Sequence, residues 1–400
     1  MKDSFFLKCE KIVSSKNLDL TKDPPVLYPH SESILCDIIR KIHSEKLPVR
    51  ILGGGTCPFP ESDSSKVQVS TKELNTIKEI NIDDFIMRVQ AGVIVDDAAS
   101  AAERFGLYMP LDITSGDRAT IGGAYMTGAV GPSMTGYGAF HGSVIGVHCI
   151  TAEGNAVTFG GRTAKNVTGY DVTRFLSGTL GLYALATELI LKVYTFPESR
   201  SMGVARFSRR SKPFDAVTTI VSSCENVKRF ELFANAGLGG EIIIGTGFEG
   251  MKSFVKKNIN LVKEIMNNAR ADDFHVRNYY KFMTRRRKAA IRMVGQDFYT
   301  ITVPPASSGF FLERIKTVSP EIPVIAHPKI GRFHLVCHDV DQMKKLNKSA
   351  LALGGKLPVM WGYANTKGIA DFFTKPELGI ARSLKREMDP LGIFNPHIRF

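Results

Sequence analysis

Two histidines in the C-terminal half of the chain have the types and spacing that could support metal chemistry. In "AHPKIGRFHLV" (326–336), His327 and His334 lie in or beside two strand-like runs separated by the turn formers Pro328 and Gly331. If the runs pair symmetrically, both imidazoles project from one face of a hairpin with their Cβ atoms about 5 Å apart. Two histidines at that distance can share a metal ion. Three interpretations are open: a metal site, the remnant of one, or a hairpin with two histidines in it.

A glycine-rich loop near the N-terminus could bind an anion. Gly53, Gly54, Gly55 and Thr56 directly follow a predicted strand over 49–52. Successive glycines let backbone N–H groups converge on anionic oxygens, because no Cβ blocks the approach. A nucleotide diphosphate is the natural ligand, although the spacing is neither that of a Walker A loop nor that of a Rossmann fingerprint. A tight structural turn is the alternative explanation.

Two further glycine-rich segments follow this loop. "SGDRATIGGAYMTGAVGPSMTGYG" (115–138) is so poor in side chains that it either packs against other backbone or lets a flat ligand lie along it. The stretch 160–193 combines polar residues with another glycine run before a buried strand. Each segment alone could be structural, but the three in this order indicate a ligand site.

The first half of the chain contains clear signals for the elements that position these segments. Residues 1–22 look like a loosely attached leader. Ser31 or Ser33 could cap an amphipathic helix, because an apolar stripe at helical spacing follows them. Residues 95–110 predict a helix ending at Gly106.

The second half predicts a further domain. A strand pair with a turn at Glu153-Gly154 precedes a change of composition around Pro197. From about 199 to 355, strands separated by helices indicate an α+β domain. The tail reads as a helix with a Pro/Gly stop.

Composition and targeting signals indicate a soluble enzyme. The chain has 400 residues, of which 44% are hydrophobic and 23% charged, as in ordinary globular proteins. No small-residue cleavage site follows the N-terminus, and the longest apolar stretch carries Glu188 and is too short to span a bilayer. We therefore expect a cytoplasmic protein.

The cysteines argue against a metal cluster held by thiolates. The six cysteines are scattered without a CxxC pair. Iron–sulfur and zinc sites need clustered thiolates, so we expect neither on this chain through cysteine.

The net charge of +13 indicates a basic surface. Such a surface favours nucleic acid, anionic lipid, an acidic subunit or an anionic small molecule. The densest basic run is 281–293, with Arg285, Arg286, Arg287, Lys288 and Arg292. It is either the solvated face of a helix or a docking surface. No nucleic-acid-binding motif accompanies it, so we expect no nucleic acid.

Several motifs together resemble the vanillyl-alcohol oxidase / p-cresol methylhydroxylase (PCMH) type of FAD-binding flavoprotein. They are "RILGGGT" (50–56), "ATIGG" (119–123), "TAEG" (151–154), "KNVTGYDVTRFLSGTLG" (165–181), "LATELILKV" (185–193) and "DPLGIFNP" (389–396). Within this type, the chain looks most like the FAD-binding subunits of bacterial glycolate oxidase and the related D-lactate and 2-hydroxyacid dehydrogenases.

The resemblance implies an α+β fold. A PCMH-type FAD-binding domain of two α/β subdomains would cover 23–198, after the leader 1–22. An α+β cap domain would cover 199–370, and a C-terminal helix and tail, 371–400, would return to the FAD domain.

It also implies which residues meet the cofactor, FAD. Gly53, Gly54, Gly55 and Thr56 would hold the pyrophosphate. A second set of residues would lie close to the flavin: Thr120, Gly122, Gly123, Gly128, Gly131, Tyr137 and Gly138. The stretch 186–189, with Glu188, would contribute backbone contacts.

In the resembling hydroxyacid dehydrogenases, a His-x6-His segment binds a divalent metal, and His327 and His334 have that spacing. The partner motif Gly-Gly…Glu-His-Gly corresponds here to "GGKLPVMWGY" (354–363), with glycines at 354, 355 and 362. Met360 replaces the Glu ligand, and Trp361 replaces the His that abstracts a proton. A thioether is a poor ligand for a hard cation, and an indole N–H cannot act as a base. The pair is thus predicted to be the remnant of a metal site.

The resemblance implies the FAD-carrying subunit of a multi-subunit 2-hydroxyacid dehydrogenase. A sister flavoprotein would oxidise the substrate, and an iron–sulfur subunit would receive the electrons. Such partners could hold the chain at the inner face of a membrane. One alternative is a self-sufficient flavin oxidoreductase with Tyr170, Tyr363 or His141 as acid or base. The other is a scaffold subunit that has lost FAD.

Overall fold

A computed structural model describes residues 2–56, 66–162, 170–208, 211–234, 238–279, 282, 298–361, 374–396 and 398. In these ranges the strands form sheets of four, five and eight strands and one two-stranded ribbon. Helices pack on the sheets, which confirms the predicted α+β class. None of the described helices is long and apolar enough to cross a bilayer.

The first sheet carries the strand that leads into the glycine-rich loop. Its elements, in chain order, are α1 (Lys2–Val13), β1 (Leu18–Asp19), β2 (Val26–Leu27), α2 (Glu32–Ser44), β3 (Val49–Leu52) and β4 (Val67–Ser70). The strand order is β1-β2-β4-β3, and β4 runs parallel to both β2 and β3. Because parallel strands end at the same edge, the loop after β3 lies beside the end of β4.

Two helices cover this sheet. Helix α2 begins after Ser31, whose Oγ accepts a hydrogen bond from the N–H of Ile34 at 3.3 Å, as predicted. Helix α1 packs against α2 and buries Phe5, Phe6 and Cys9. The expectation of a loosely attached leader is therefore wrong, because this helix contributes large apolar side chains to the core.

The second sheet is antiparallel, with the order β5-β6-β10-β8-β9. The elements of this region are β5 (Ile77–Asn81), β6 (Ile86–Gln90), α3 (Val95–Glu103), β7 (Leu107–Tyr108), α4 (Ile121–Met126), α5 (Met134–Tyr137), β8 (Val144–Ile150), β9 (Ala156–Gly160), α6 (Val172–Leu176), β10 (Leu185–Lys192) and β11 (Tyr194–Thr195). Helix α3 ends at Glu103, three residues before the predicted stop at Gly106, and both Gly106 and Gly154, which lies in the predicted turn, adopt positive φ.

The third sheet has eight antiparallel strands in the order β15-β12-β14-β13-β17-β18-β16-β19. The elements are β12 (Ser199–Phe207), α7 (Pro213–Ser223), β13 (Arg229–Ala234), β14 (Ile242–Gly250), α8 (Lys252–Asn268), β15 (Asp273–Arg277), β16 (Phe298–Thr302), α9 (Ser308–Val318), β17 (Val324–His327), β18 (Arg332–Val336), α10 (Val340–Ala352), β19 (Lys356–Trp361) and α11 (Lys375–Met388).

The two faces of the eight-stranded sheet differ in chemistry. Phe230, Leu232 and Phe333 lie in an apolar core shared with α7, α8, α9 and α10. Because side chains alternate along a strand, Arg229 and Glu231 belong to the other face, which we call the polar face. The domain boundaries predicted at 198 and 370 stay predictions.

Candidate functional site

Two glycine-rich segments lie against each other and form a feature that we call the glycine cradle, residues 53–56 and 118–123. A Cβ on Gly54 would lie 2.0 Å from the carbonyl oxygen of Arg118, far closer than atoms can approach. Only glycine therefore fits at this position, and the close approach of the two backbones explains the composition of both segments.

Thr120 lies at the buried centre of the cradle. Its Oγ1 accepts a hydrogen bond from the N–H of Gly123 at 3.1 Å and so caps α4. A Cβ on Gly53 would lie 2.5 Å from this Oγ1, and a Cβ on Gly122 would lie 2.5 Å from the Cβ of Ala91. The structure thus brings together most of the residues predicted to hold the cofactor.

The open side of the cradle is formed by Gly55 and Thr56. Gly55 has φ = +68°, and a Cβ there would meet no atom within 4 Å. Within the described part of the chain, the N–H groups of residues 53–56 donate no hydrogen bond. Unused backbone donors at the carboxyl end of a strand form a nest for anionic oxygens. The cradle therefore fits a pyrophosphate.

The C-terminal tail fastens the cradle to a neighbouring loop. Asn395 Oδ1 accepts a hydrogen bond from the N–H of Ile51 at 2.8 Å, and its Nδ2 donates to the carbonyl of Leu180 at 2.6 Å. In the same region, a Cβ on Gly128 would lie 3.3 Å from the Cα of Gly178. One side chain of the "DPLGIFNP" motif thus holds the strand that enters the cradle.

Asp389 shapes this motif so that Asn395 can reach its partners. Its carboxylate accepts hydrogen bonds from the N–H groups of Ile393 and Phe394 at 3.0 and 2.8 Å. Lys385 Nζ also donates to this carboxylate, at 2.7 Å. Burial holds the pKa of Lys385 below its ordinary value, against the opposing effect of Asp389.

Gly131, Tyr137 and Gly138, which were predicted to lie close to the flavin, are located between the region of the second sheet and the eight-stranded sheet. A Cβ on Gly131 would lie 2.4 Å from Oδ1 of Asp112. The hydroxyl of Tyr137 donates to Oε2 of Glu249 at 2.6 Å, and Gly138 follows with φ = +81°. Helix α5 packs against β13 and against the turn at 328–330. This segment therefore joins the cradle side of the molecule to the histidine hairpin.

A buried ionic cluster, not anticipated from the sequence, lies at the same junction. The Arg229 guanidinium donates to Asp112 Oδ2 at 3.1 Å and also to the Glu249 carboxylate and the Tyr108 hydroxyl. Arg229 is 1% exposed. Tyr279 donates to Asp112 at 3.2 Å. Arg200 Nε also lies 2.9 Å from Glu249 Oε1, so the two carboxylates balance the charges of two guanidinium groups inside the protein.

Glu188 lies apart from the cradle. Its carboxylate is 2.5 Å from Lys78 Nζ and 2.7 Å from Arg88 Nη2. Burial alone would raise the pKa of Glu188, but the hydrogen bonds from Lys78 and Arg88 hold it below its ordinary value. The adjacent backbone does approach the cradle, since the carbonyl of Thr187 accepts from the N–H of Ala91 at 2.8 Å. A backbone contact to the cofactor at 186–189 stays a prediction.

The histidine hairpin forms, but the symmetric pairing considered for it is wrong. His334 pairs with Ile325, and His327 pairs with Arg332. The reason is the turn, because a 3-10 segment at 328–330 and a left-handed Gly331 close the hairpin immediately after His327. The two imidazoles are therefore diagonal rather than direct neighbours, still on the same polar face.

The two histidines make different contacts. Their ring centroids are 5.6 Å apart, with an interplanar angle of 80°. His334 Nδ1 lies 2.9 Å from Thr300 Oγ1, whereas His327 Nε2 lies 3.9 Å from Oε1 of the buried Glu231. Among the described residues, no group of three or more His, Cys, Asp or Glu is placed to hold a metal ion.

Arg332 adds a positive charge to this hairpin that the sequence reasoning missed. It is partly buried, and its Nε has no hydrogen-bond partner in the described part of the chain. Burial lowers the pKa of Arg332 to about 10. The signal was present in the sequence, because a charged residue two positions before His334 must share its face of the strand.

The remaining candidates are scattered. Tyr170 is 97% exposed, and His141 is partly buried, with its pKa held below the ordinary value by burial and by Arg174. Tyr363, Gly362 and nearly all of the basic run 281–293 lie outside the described residues.

The strand that carries Met360 and Trp361 is described at the level of its backbone. In β19, Met360 pairs with Tyr299 and Trp361 with Phe298, so this strand borders the one that pairs with the histidine hairpin. The predicted loss of the metal ligand and of the base at these two positions stays a prediction.

Comparison with known families agrees with the cradle. Residues 24–160 match the family model of the FAD binding domain. This chain contains a PCMH-type FAD-binding domain. The match covers both halves of the glycine cradle and Gly128, Gly131 and Tyr137. FAD, the cofactor expected from the motifs, is thus confirmed.

Curated relatives extend the match over most of the chain. Glycolate oxidase subunit GlcD of Bacillus subtilis is 23% identical, over 93% of this chain and 87% of that protein. The mitochondrial D-lactate dehydrogenase (cytochrome) of Arabidopsis thaliana is 24% identical, over 93% and 72%. The D-lactate dehydrogenase of Archaeoglobus fulgidus is also 24% identical, over 93% and 90%. This chain is thus an FAD-binding oxidoreductase related to these proteins.

A solved structure shares the fold. An alkyldihydroxyacetonephosphate synthase superposes with a TM-score of 0.68 at 16% sequence identity, covering 93% of this chain and 76% of that one. The two chains therefore share an overall fold.

Proposed function

We propose that this chain is the FAD-carrying subunit of a multi-subunit dehydrogenase of small 2-hydroxy acids, and that an iron–sulfur partner receives its electrons. The observation that carries the proposal is the glycine cradle, whose N–H groups at 53–56 donate to no described residue and whose contacts tolerate no Cβ. The names of the relatives, glycolate oxidase and D-lactate dehydrogenase, support the class of substrate.

In this proposal the cradle residues bind the cofactor. Gly53, Gly54, Gly55 and Thr56 hold the pyrophosphate through their N–H groups. The segment close to the flavin comprises Thr120, Gly122, Gly123, Gly128, Gly131, Tyr137 and Gly138. FAD, when bound, supplies the chemistry of accepting two electrons from a carbon that carries a hydroxyl group.

Tyr137 holds its segment in place and does not act as a base. Burial raises the pKa of Tyr137 well above its ordinary value, and Glu249 raises it further. The hydroxyl therefore keeps its proton near neutral pH, and it donates a hydrogen bond to the Glu249 carboxylate. This bond ties the glycine segment to the eight-stranded sheet.

The iron–sulfur centre belongs to a partner in this proposal. The described cysteines, which are Cys9, Cys36, Cys149, Cys224 and Cys337, are buried free thiols. Burial raises the pKa of Cys9 to about 12, so that this thiol stays protonated rather than becoming a thiolate ligand. A sister flavoprotein completes the complex, and the basic run 281–293 takes part in docking.

The division of labour follows the predicted domains. The FAD-binding domain covers 23–198, the cap 199–370, and the C-terminal helix and tail 371–400. We place the complex in the cytoplasm, at the inner face of the membrane where its partners bring it there.

Two measurements test the function. The purified chain should show the visible spectrum of bound flavin, and the native complex should contain iron and lose its flavin absorbance when glycolate or D-lactate is added without oxygen. A colourless full-length protein would support the scaffold alternative. If the isolated chain turned over with an acid and a dye, the self-sufficient enzyme would replace the complex.

A further inference from the structure

The polar face of the eight-stranded sheet has three basic side chains at one place. Arg332, the first residue of β18, pairs with His327 of β17 on one side and with Thr302 of β16 on the other. Strand alternation puts Arg332 and His334 on the same face, while Phe333 between them lies in the apolar core. His327, Arg332 and His334 therefore converge on one surface.

Arg332 differs from Arg229, which is buried in the same face of the sheet. Arg229 is paired with Asp112 and Glu249, so its charge is neutralised. In the described part of the chain, Arg332 makes no ion pair, and its buried Nε has no hydrogen-bond partner. A partly buried cation without an anion is costly, and an anion bound beside Arg332 would offset that cost.

The position of Arg332 connects it to the cofactor side. The turn at 328–330, which only Gly331 separates from Arg332, packs against helix α5, which belongs to the glycine segment 131–138. Lys329 in that turn donates to the carbonyls of Val221 and Cys224 at 2.9 and 2.6 Å, which fixes the hairpin on the end of α7. The guanidinium is thus carried by a well-anchored element beside the segment proposed to line the flavin.

We infer that Arg332 binds the carboxylate of a small organic acid at the histidine hairpin. A planar guanidinium with a free edge binds a carboxylate through two parallel N–H···O bonds. The rest of a small acid then lies beside His327 and His334. The inference rests on the proposed function and deepens it. It assigns to Arg332 the positive charge that binds the substrate carboxylate and thereby selects an acid as substrate.

The test is carboxylate binding, measured separately from turnover. The flavin-loaded protein is titrated with oxalate, which carries the carboxylates but has no C–H bond to oxidise, and the change in the visible flavin spectrum is followed. Arg332→Met should weaken binding about tenfold or more, the size expected for losing a charge-assisted hydrogen-bonded pair. Arg332→Lys keeps the positive charge but cannot form two parallel hydrogen bonds, so its oxalate affinity should lie between those of Arg332→Met and the unaltered protein. Arg104→Met, a substitution at an exposed position directly after α3, should bind oxalate like the unaltered protein.

Thermal stability distinguishes a binding role of Arg332 from a purely structural role, because the two roles predict opposite changes in the thermal midpoint of a variant that lacks the guanidinium. Removing a partly buried cation that makes no ion pair with any described residue should leave the thermal midpoint of Arg332→Met unchanged or higher. A lower midpoint together with unchanged oxalate affinity would overturn the inference. Unfolded Arg332→Met together with oxalate affinity unchanged in Arg332→Lys would do the same.

Further measurements distinguish a carboxylate site at Arg332 from a general anion site and from a metal site. Sulfate that binds as tightly as oxalate would replace the carboxylate site by a general anion site. Oxalate affinity that requires added Zn²⁺ and does not respond to Arg332→Met would place the charge on a metal instead. If the flavin is not reduced by any 2-hydroxy acid but oxalate still binds through Arg332, the proposed function fails and this inference stands. If acids reduce the flavin equally well in Arg332→Met, the inference fails and the function stands.

Discussion

Arg229 of the eight-stranded sheet donates to Asp112, which follows the ribbon strand β7, at 3.1 Å. The two residues are 117 positions apart in the sequence, and each is less than 10% exposed. The pair therefore joins the eight-stranded sheet to the part of the molecule that carries the cradle, and its loss should lower the stability of the whole protein.

We predict that Arg229→Met lowers the free energy of unfolding by about 3–5 kcal/mol, because Asp112 loses its ion pair in the protein interior and Glu249 keeps only its pair with Arg200. Urea denaturation followed by circular dichroism measures the change. The control is Arg206→Met, which breaks an exposed ion pair with Asp273 and should have a much smaller effect. Equal losses in the two variants would show that the cluster is not the junction we describe.

Gly54→Ala should disrupt the cradle. The new methyl group would lie 2.0 Å from the carbonyl oxygen of Arg118, and backbone cannot move aside cheaply. We expect a stability loss of about 1–3 kcal/mol, typical of overpacking, together with a large loss of bound FAD. Flavin absorbance per protein measures the second effect. Gly142→Ala, at an exposed glycine whose Cβ would meet nothing within 4 Å, should retain FAD.

Asn395→Gly tests the link between the tail and the cradle. Asn395 has φ = +46°, a conformation that glycine also adopts, so this variant removes the side chain with little backbone strain. Loss of the bonds to Ile51 and Leu180 should weaken FAD binding about tenfold, corresponding to roughly 1.4 kcal/mol. Fluorescence of released flavin on dilution reports the affinity. Asn258→Ala, which removes one side-chain bond within α8, should not change it.

Glu188 predicts a pH dependence of stability. Its pKa in the folded protein is below the ordinary value, so its ion pairs with Lys78 and Arg88 contribute stability that is present above about pH 4.3 and is lost as the pH falls through the folded value. Glu188→Gln should therefore be less stable than the unaltered protein at neutral pH, and the difference should shrink in acid. Urea titrations over a pH series measure it. If the difference did not change with pH, or changed as much for the exposed Glu264→Gln, the assignment would fail.

Local signals were sufficient for the elements and the cradle. Ser31 caps α2 because a serine before an apolar helical stripe can accept a hydrogen bond from the first turn, and nothing distant decides this. The glycines at 53–55 were recognised because a run of residues without Cβ has few uses other than close backbone approach. The comparisons then agreed with the cofactor that these glycines suggested.

Contacts between residues that are far apart in the chain could not be predicted from the sequence. Asn395 and Ile51 are 344 positions apart, and no periodicity links an asparagine near the end to a strand near the beginning. The charge balance of Arg229 depends in the same way on Asp112, which only the packed structure brings near. The register of the histidine hairpin failed for a smaller reason, because a 3-10 turn of unforeseen length shifted His334 to pair with Ile325.

The bond between Asn395 and Ile51 sets the order of events during synthesis. Ribosomes add roughly 5–20 residues per second, so the strand entering the cradle emerges on the order of half a minute before the side chain that clamps it. Nascent chains must keep this region from aggregating during that interval. The cradle can therefore reach its final, clamped form only after translation has passed residue 395.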